Sequence, residues 1–218
     1  YSFRRCPFAI RARWALLQTN INFFLREVNL KEKPIQLLEV SPKGTVPVFI
    51  SDKGQVIEES IAIMTWALRQ NSIHHPWLNN KKENEEIEYL LNQNDDQFKY
   101  HLDRFKYASR YDLKKKEWHK EEAKKILYTW NERASKSSIH TKNGWLVNGQ
   151  ETIADWALWP FVRQYIIADK NFFEEDKNLI PLKNWLNYFL RHALFEKLMI
   201  KSEAWKENDP PLLIKVES

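Results

Sequence analysis

Arg4-Arg5-Cys6-Pro7-Phe8-Ala9-Ile10-Arg11 is the stretch on which the fold turns. It holds the only cysteine of the 218 residues. Pro7 follows that cysteine, and Ile10, Trp14 and Leu17 recur beyond it at i, i+4 and i+7, one face of a helix. Proline suits the first helical position because its missing N–H would have no partner there. Cys6 is therefore expected at a helix mouth, facing unpaired N–H groups and the positive end of the helix dipole. Arg4 and Arg5 add charge beside it. These surroundings favour the thiolate, which is the nucleophilic form. The alternative for a lone cysteine is a buried apolar side chain.

Outward from this stretch, strands and helices alternate. Tyr1-Ser2-Phe3 reads as the end of a strand, residues 7–19 as a helix and residues 22–28 as a strand rich in β-forming residues. Pro34 to Val40 suits a short helix, closed by Ser41-Pro42-Lys43-Gly44. Val46 to Ile50 gives a third strand, disturbed by Pro47, and Asp52-Lys53-Gly54-Gln55 is a hairpin turn into Val56-Ile57. Residues 59–70 carry Ile61, Met64 and Leu68 at helical spacing. The order β-α-β-α-β-β-α occupies residues 1–70. A polar linker, 71–80, contains His74-His75-Pro76. From 81 to 218 strand signals vanish, and an all-helical domain is expected. Its helices cover about 83–110 and 114–136, a third starts near Thr152, and two more precede Pro210-Pro211. Thr152-Ile153-Ala154-Asp155 matches a capping box.

Composition narrows the chemistry. No apolar run of 18 residues occurs, so no membrane span is expected. No leader is visible, and residues are expected to precede Tyr1. One cysteine excludes an intrachain disulfide and fits a reducing, cytoplasmic setting. The four glycines lie too far apart for a dinucleotide fingerprint or a phosphate loop. Neither GxSxG nor HExxH occurs. No histidine or cysteine pattern suggests a metal site, and none is expected. The net charge is +5. Leu113-Lys114-Lys115-Lys116 could suggest nucleic acid, but Glu117, Glu121 and Glu122 follow, with Glu121 placed to pair Lys125. A solvated helix face is the simpler reading. The Trp residues, ten in all, read mostly as helical core.

A Cys-Pro at the first helix of such a unit, followed by a helical region, resembles the cytosolic glutathione S-transferase superfamily. The Cys6-Pro7-Phe8-Ala9 segment looks like its omega class. Leu30-Lys31-Glu32-Lys33-Pro34, Gly44-Thr45-Val46-Pro47-Val48 and Glu58-Glu59-Ser60-Ile61-Ala62-Ile63 match in order and spacing. The run Thr152 to Gln164 is similar to the buried helix of the family's second domain. The resemblance implies an α/β thioredoxin-like N-terminal domain over 1–70, which binds glutathione, and an all-α C-terminal helical domain over 81–218. A homodimer is implied too.

The same resemblance implies roles. Cys6 is the catalytic residue. Pro47, as a cis-proline, turns Val46 toward the cysteinyl amide of glutathione, which pairs with it like an added strand. Ser60 takes the γ-glutamyl carboxylate, Glu59 the ammonium and Lys33 the glycyl carboxylate, with Phe8 beside them. Tyr107, Tyr111, Trp159 and Arg163 are candidates for a second-substrate pocket. Ala9 stands where a second thiol would be, so a second glutathione must resolve the mixed disulfide. The expected activity is that of a monothiol thioltransferase or reductase, with glutathione as co-substrate, a small disulfide or electrophile as second substrate, and neither membrane nor nucleic acid as partner. The alternative is a non-catalytic partner-binding protein of the same fold. Glu151 departs from the pattern, because an apolar residue there would staple position 156.

Overall fold

The computed structural model describes residues 1–70, 81–139, 141 and 143–216. The expected linker, 71–80, lies outside them. In chain order the helices are α1 Pro7–Gln18, α2 Ile35–Val40, α3 Ser60–Gln70, α4 Lys81–Asn92, α5 Lys99–Lys106, α6 Lys116–Ser138, α7 Ile153–Ala168, α8 Lys170–Glu175, α9 Ile180–Leu190 and α10 Leu194–Leu198. The strands are β1 Phe23–Leu25, β2 Phe49–Ile50, β3 Val56–Ile57 and β4 Leu212–Ile214. Two compact units result: Tyr1–His75 with Ala193–Ser218, and Pro76–His192.

In the first unit α1 begins as its sequence dictates, with Cys6 extended at the N-cap and Pro7 following. It ends in a Schellman motif: Ile21 N–H donates to Leu16 O at 2.9 Å and Asn20 N–H to Leu17 O at 3.1 Å. Asn20 sits at φ 57°, a left-handed conformation that asparagine tolerates. The sheet is knit by short segments. β1 pairs antiparallel with β4, Phe24 facing Leu213. On the other side Ser2 N–H donates to Arg26 O and Val28 N–H to Ser2 O, a parallel bridge. Val48 N–H donates to Tyr1 O at 3.0 Å, and β2 turns back into β3 through the expected hairpin. The pleat sends alternate residues to opposite faces. Val48 packs with Val28 and Leu37 of α2, while Phe49 packs with Ala12, Ile57 and Ile63 against α1 and α3.

The expectation of an all-helical region from 81 to 218 is corrected at its end. Leu212-Leu213-Ile214 follows two prolines, which end the helical pattern, and this apolar triplet covers the free edge of β1. Three short helices, not two, precede it after α7.

The described residues of the second unit are mostly helical, with a non-helical stretch at 143–152 that holds the isolated bridge Val147–Gln150. A π-helical stretch, Gln93–Phe98, joins α4 to α5. α7 runs through the core, with Ala157, Leu158, Trp159 and Phe161 fully buried. Its start is the expected capping box: Thr152 N–H donates to Asp155 Oδ2 at 2.8 Å, and Ala154 N–H to Thr152 Oγ1 at 3.2 Å. Asp155 also accepts from Leu146 N–H at 3.0 Å and Trp185 Nε1 at 2.8 Å. Burial pushes its carboxyl pKa up, and these donors oppose that. Glu151 turns the missing apolar staple into a polar one, accepting from Trp156 Nε1 at 2.6 Å. On α6 the ion pairs are Glu121–Lys124 and Glu122–Lys125, one residue shorter in spacing than the expected Glu121–Lys125.

Candidate functional site

The candidate site is built on the first unit. Cys6 caps α1 with φ −77° and ψ 121°. Its carbonyl accepts from Ile10 N–H at 2.9 Å, and its own N–H donates to Phe3 O at 3.0 Å. Its Sγ lies 3.8 Å from Val46 O. That contact ties the helix mouth to the loop before β2, where the Val46–Pro47 bond is cis. Gly44 shapes this loop at φ +58°. A Cβ there would fall 2.8 Å from Leu38 Cδ2 and 3.2 Å from Lys33 Cδ. The conformation therefore favours glycine, and a Cβ would also displace the ends of the Leu38 and Lys33 side chains. The same distances place the exposed Lys33 chain against the loop.

Ser60, 4% exposed, is the first residue of α3. Its Oγ accepts from Arg11 Nε at 2.9 Å. A hydroxyl that accepts from a guanidinium still has its own proton to donate. Arg11 also lies with its guanidinium carbon 4.9 Å from the Phe8 ring centre. Cys6 with Val46, Lys33 with Gly44, and Phe8 with Ser60 through Arg11 are thus brought together within one unit. Glu59 is mostly exposed and sits 3.3 Å from Lys43 Nζ, a weak surface pair. Its neighbour Glu58 accepts from the buried Ser41 hydroxyl at 2.6 Å, fixing the end of α2 to the start of α3.

Arg11 and Arg13 were not among the residues singled out from sequence. The signal lay in α1, whose residues are apolar on every side, from Ala9 to Leu17. A helix of that kind is buried all round, so its two arginines must be buried cations. Arg13 donates from Nη2 to Arg4 O at 3.3 Å, and its Nε and Nη1 have no hydrogen-bond partner. Burial lowers its pKa to about 10, opposed by the charges of Glu27 and Cys6. Glu27 is in turn pushed up by burial, with the Arg4 N–H at 2.7 Å acting against it. The helix mouth is therefore backed by fixed positive charge that does not depend on exposed lysines.

The second-substrate candidates are not assembled in this way. Trp159 is fully buried and stacked on Phe189, with centroids 5.5 Å apart, so it belongs to the core and is removed from the pocket. Tyr107 lies between Lys106 and Arg110, and Tyr111 against Arg104, at the protein surface. Arg163 is half-buried on α7. A groove of about 730 Å³ in the first unit, lined by Phe23, Phe24, Phe49 and Trp66 among others, shares no residue with the Cys6 site. Among the described residues no group of three or more His, Cys, Asp or Glu could hold a metal ion, and no helix is long and apolar enough to cross a membrane.

Residues 1–75 match the family model described as glutathione S-transferase, N-terminal domain. Over 61 residues the chain is 41% identical to glutathione S-transferase omega-1 of Rattus norvegicus, covering 28% of this chain and 25% of that protein. The chain thus spans about a quarter of the length of the omega-1 relatives it matches. Among solved structures, glutathione transferase Omega 3C from Trametes versicolor superposes with a TM-score of 0.74 at 19% identity, covering 93% of this chain and 89% of that one. Ure2p in complex with glutathione gives 0.74 at 16% identity, covering 90% and 96%. Residues 1–75 thus match the glutathione S-transferase N-terminal domain family and are similar in sequence to its omega-1 relatives, and the chain shares the fold of glutathione transferase Omega 3C over 93% of its length.

Proposed function

We propose that the protein binds glutathione along Val46 and uses Cys6 as a monothiol nucleophile in disulfide reduction. The observation that carries this reading is the position of Cys6 at the mouth of α1, with its sulfur against Val46 O. The helix dipole and the buried Arg13 favour an anionic sulfur there. In the cycle, the Cys6 thiolate attacks the glutathionyl sulfur of a mixed disulfide. A Cys6–glutathione bond forms and the substrate leaves as its thiolate, which takes a proton from water. A second glutathione thiolate attacks the Cys6 disulfide, regenerates the Cys6 thiolate and departs as oxidised glutathione. The two electrons come from glutathione. Ser60 donates to the γ-glutamyl carboxylate, Lys33 faces the glycyl carboxylate, Glu59 exchanges Lys43 for the ligand ammonium, and Phe8 borders the tripeptide. Tyr107, Tyr111 and Arg163 remain the candidates for contact with the second substrate. A cytoplasmic, reducing setting keeps glutathione in the form this cycle consumes.

Incubation with oxidised glutathione is expected to add one glutathionyl group at Cys6, read by intact mass and removed by reduced glutathione. Absence of the adduct removes the mechanism. Ser60→Ala deletes a hydrogen bond to a charged group and is expected to weaken glutathione binding about tenfold or more by calorimetry. Lys33→Ala costs less, because its charge is exposed. Unchanged affinity in both variants would show that these residues do not hold the tripeptide.

The functional particle is proposed to be a homodimer. Light scattering is expected to give twice the 26.3 kDa chain mass. A particle of single-chain mass ends that part of the reading.

A further inference from the structure

Residues 104–116 contain six cations, Arg104, Lys106, Arg110, Lys114, Lys115 and Lys116, and one acid, Asp112. This short segment thus carries a formal charge equal to the +5 of the whole chain. Among the described residues none of the six is in an ion pair. Asp112 is engaged locally, accepting from Lys114 N–H at 2.9 Å. The acids of the next helical turns are also engaged, Glu121 by Lys124 and Glu122 by Lys125, with Glu117 standing at the edge of the patch.

Apolar side chains are exposed among these cations: Leu113 at 68%, and Tyr111 and Trp118 at 52% each. The surface is continuous. Arg104 lies 3.5 Å from the Tyr100 ring centre and 4.6 Å from that of Tyr111. Tyr100 and Trp118 both pack on His119, at 5.6 Å and 4.6 Å.

We propose that this face of the second unit is a peripheral docking surface for an anionic lipid bilayer. Lysines beside an exposed leucine and tryptophan match both layers of such a surface, with charge for the headgroups and apolar groups for the acyl boundary. Single-stranded nucleic acid would instead need open ring faces for bases to stack on. Arg104 covers Tyr100 and Tyr111, and Trp118 is engaged with His101 and His119. The lack of a long apolar run bears on spanning the membrane only, so the expectation of no membrane partner is revised to peripheral contact. The proposal needs neither Cys6 nor bound glutathione, and Tyr111 is the one apolar side chain it shares with the second-substrate candidates.

The test is co-sedimentation of the full chain with phosphatidylcholine vesicles, with and without about a third phosphatidylserine. Binding is expected only with phosphatidylserine and is expected to fade as salt is raised. K114E/K115E, at exposed positions, should lower partitioning about 25-fold or more, since each basic residue near such a surface is worth about fivefold. Leu113→Asn should lower it about tenfold. Both variants are expected to keep glutathione binding. No sedimentation with phosphatidylserine, or sedimentation indifferent to K114E/K115E, overturns the proposal. So does binding of oligothymidylate, in the same salt, that is lost in K114E/K115E but unaffected by Leu113→Asn, because it reassigns the surface to nucleic acid.

Discussion

Asp155→Ala is expected to remove about 3–5 kcal/mol of folding stability. The carboxylate is fully buried and receives the Leu146 N–H, the Thr152 N–H, the Thr152 hydroxyl and the Trp185 indole N–H. Alanine leaves these donors without an acceptor where water is excluded. It also cuts three elements loose from each other: the loop before α7, the start of α7 itself, and α9. Since domains hold only about 5–15 kcal/mol in all, such a loss brings the fold near its limit. Asp155→Asn keeps the shape and one acceptor oxygen but turns an amide N–H₂ toward other donors, so it should fall between wild type and alanine. Urea unfolding checks this ordering. A loss below about 1 kcal/mol for Asp155→Ala would mean that the donors find water or new partners, and that the network is not a keystone of the helical unit.

Cys6→Ser is expected to abolish disulfide reduction, by roughly a thousandfold or more, while leaving glutathione affinity nearly unchanged. A serine hydroxyl is not ionised at neutral pH and does not enter sulfur exchange. The proposed anchors of the tripeptide, Val46, Ser60 and Lys33, lie on other segments. The measurement pairs turnover of a small mixed disulfide with calorimetric glutathione binding on one preparation. Retained reductase activity would make the glutathione thiol itself the nucleophile. Loss of both activity and binding would mean that Cys6 shapes the pocket as well as reacting in it.

The parts of the fold legible in the sequence were those set by local chemistry. Pro7 after Cys6, Gly54 in the hairpin and Thr152 with Asp155 each act within a few residues, and each element they mark is present. Long-range requirements were not legible. Residues 22–28 looked like one strand, yet only Phe23–Leu25 lies in a ladder, because its partner is a triplet near residue 213. Trp159 looked available for a pocket, whereas the unit's packing consumes it against Phe189. Arg11 and Arg13 drew no attention in the sequence, yet α1 is buried on nearly every side and takes both of them inside. The same burial supplies the site with positive charge, and its signal is the apolar character of α1 all round rather than any single motif.

The pairing of β1 with β4 has a consequence for synthesis. Phe23 meets Ile214, and Val216 N–H reaches back to Asn22 at a separation of 194 residues. At ribosomal rates the interval between making the two strands is on the order of ten seconds. Throughout it, Phe23-Phe24-Leu25 is an apolar edge with unpaired backbone groups, open to the edge of any other nascent copy. The long helical insertion is made in the meantime, so the unit begun earlier is closed later. Deleting Leu212 to Ile214 is therefore expected to leave the β1 edge open and to lower soluble yield before it lowers turnover.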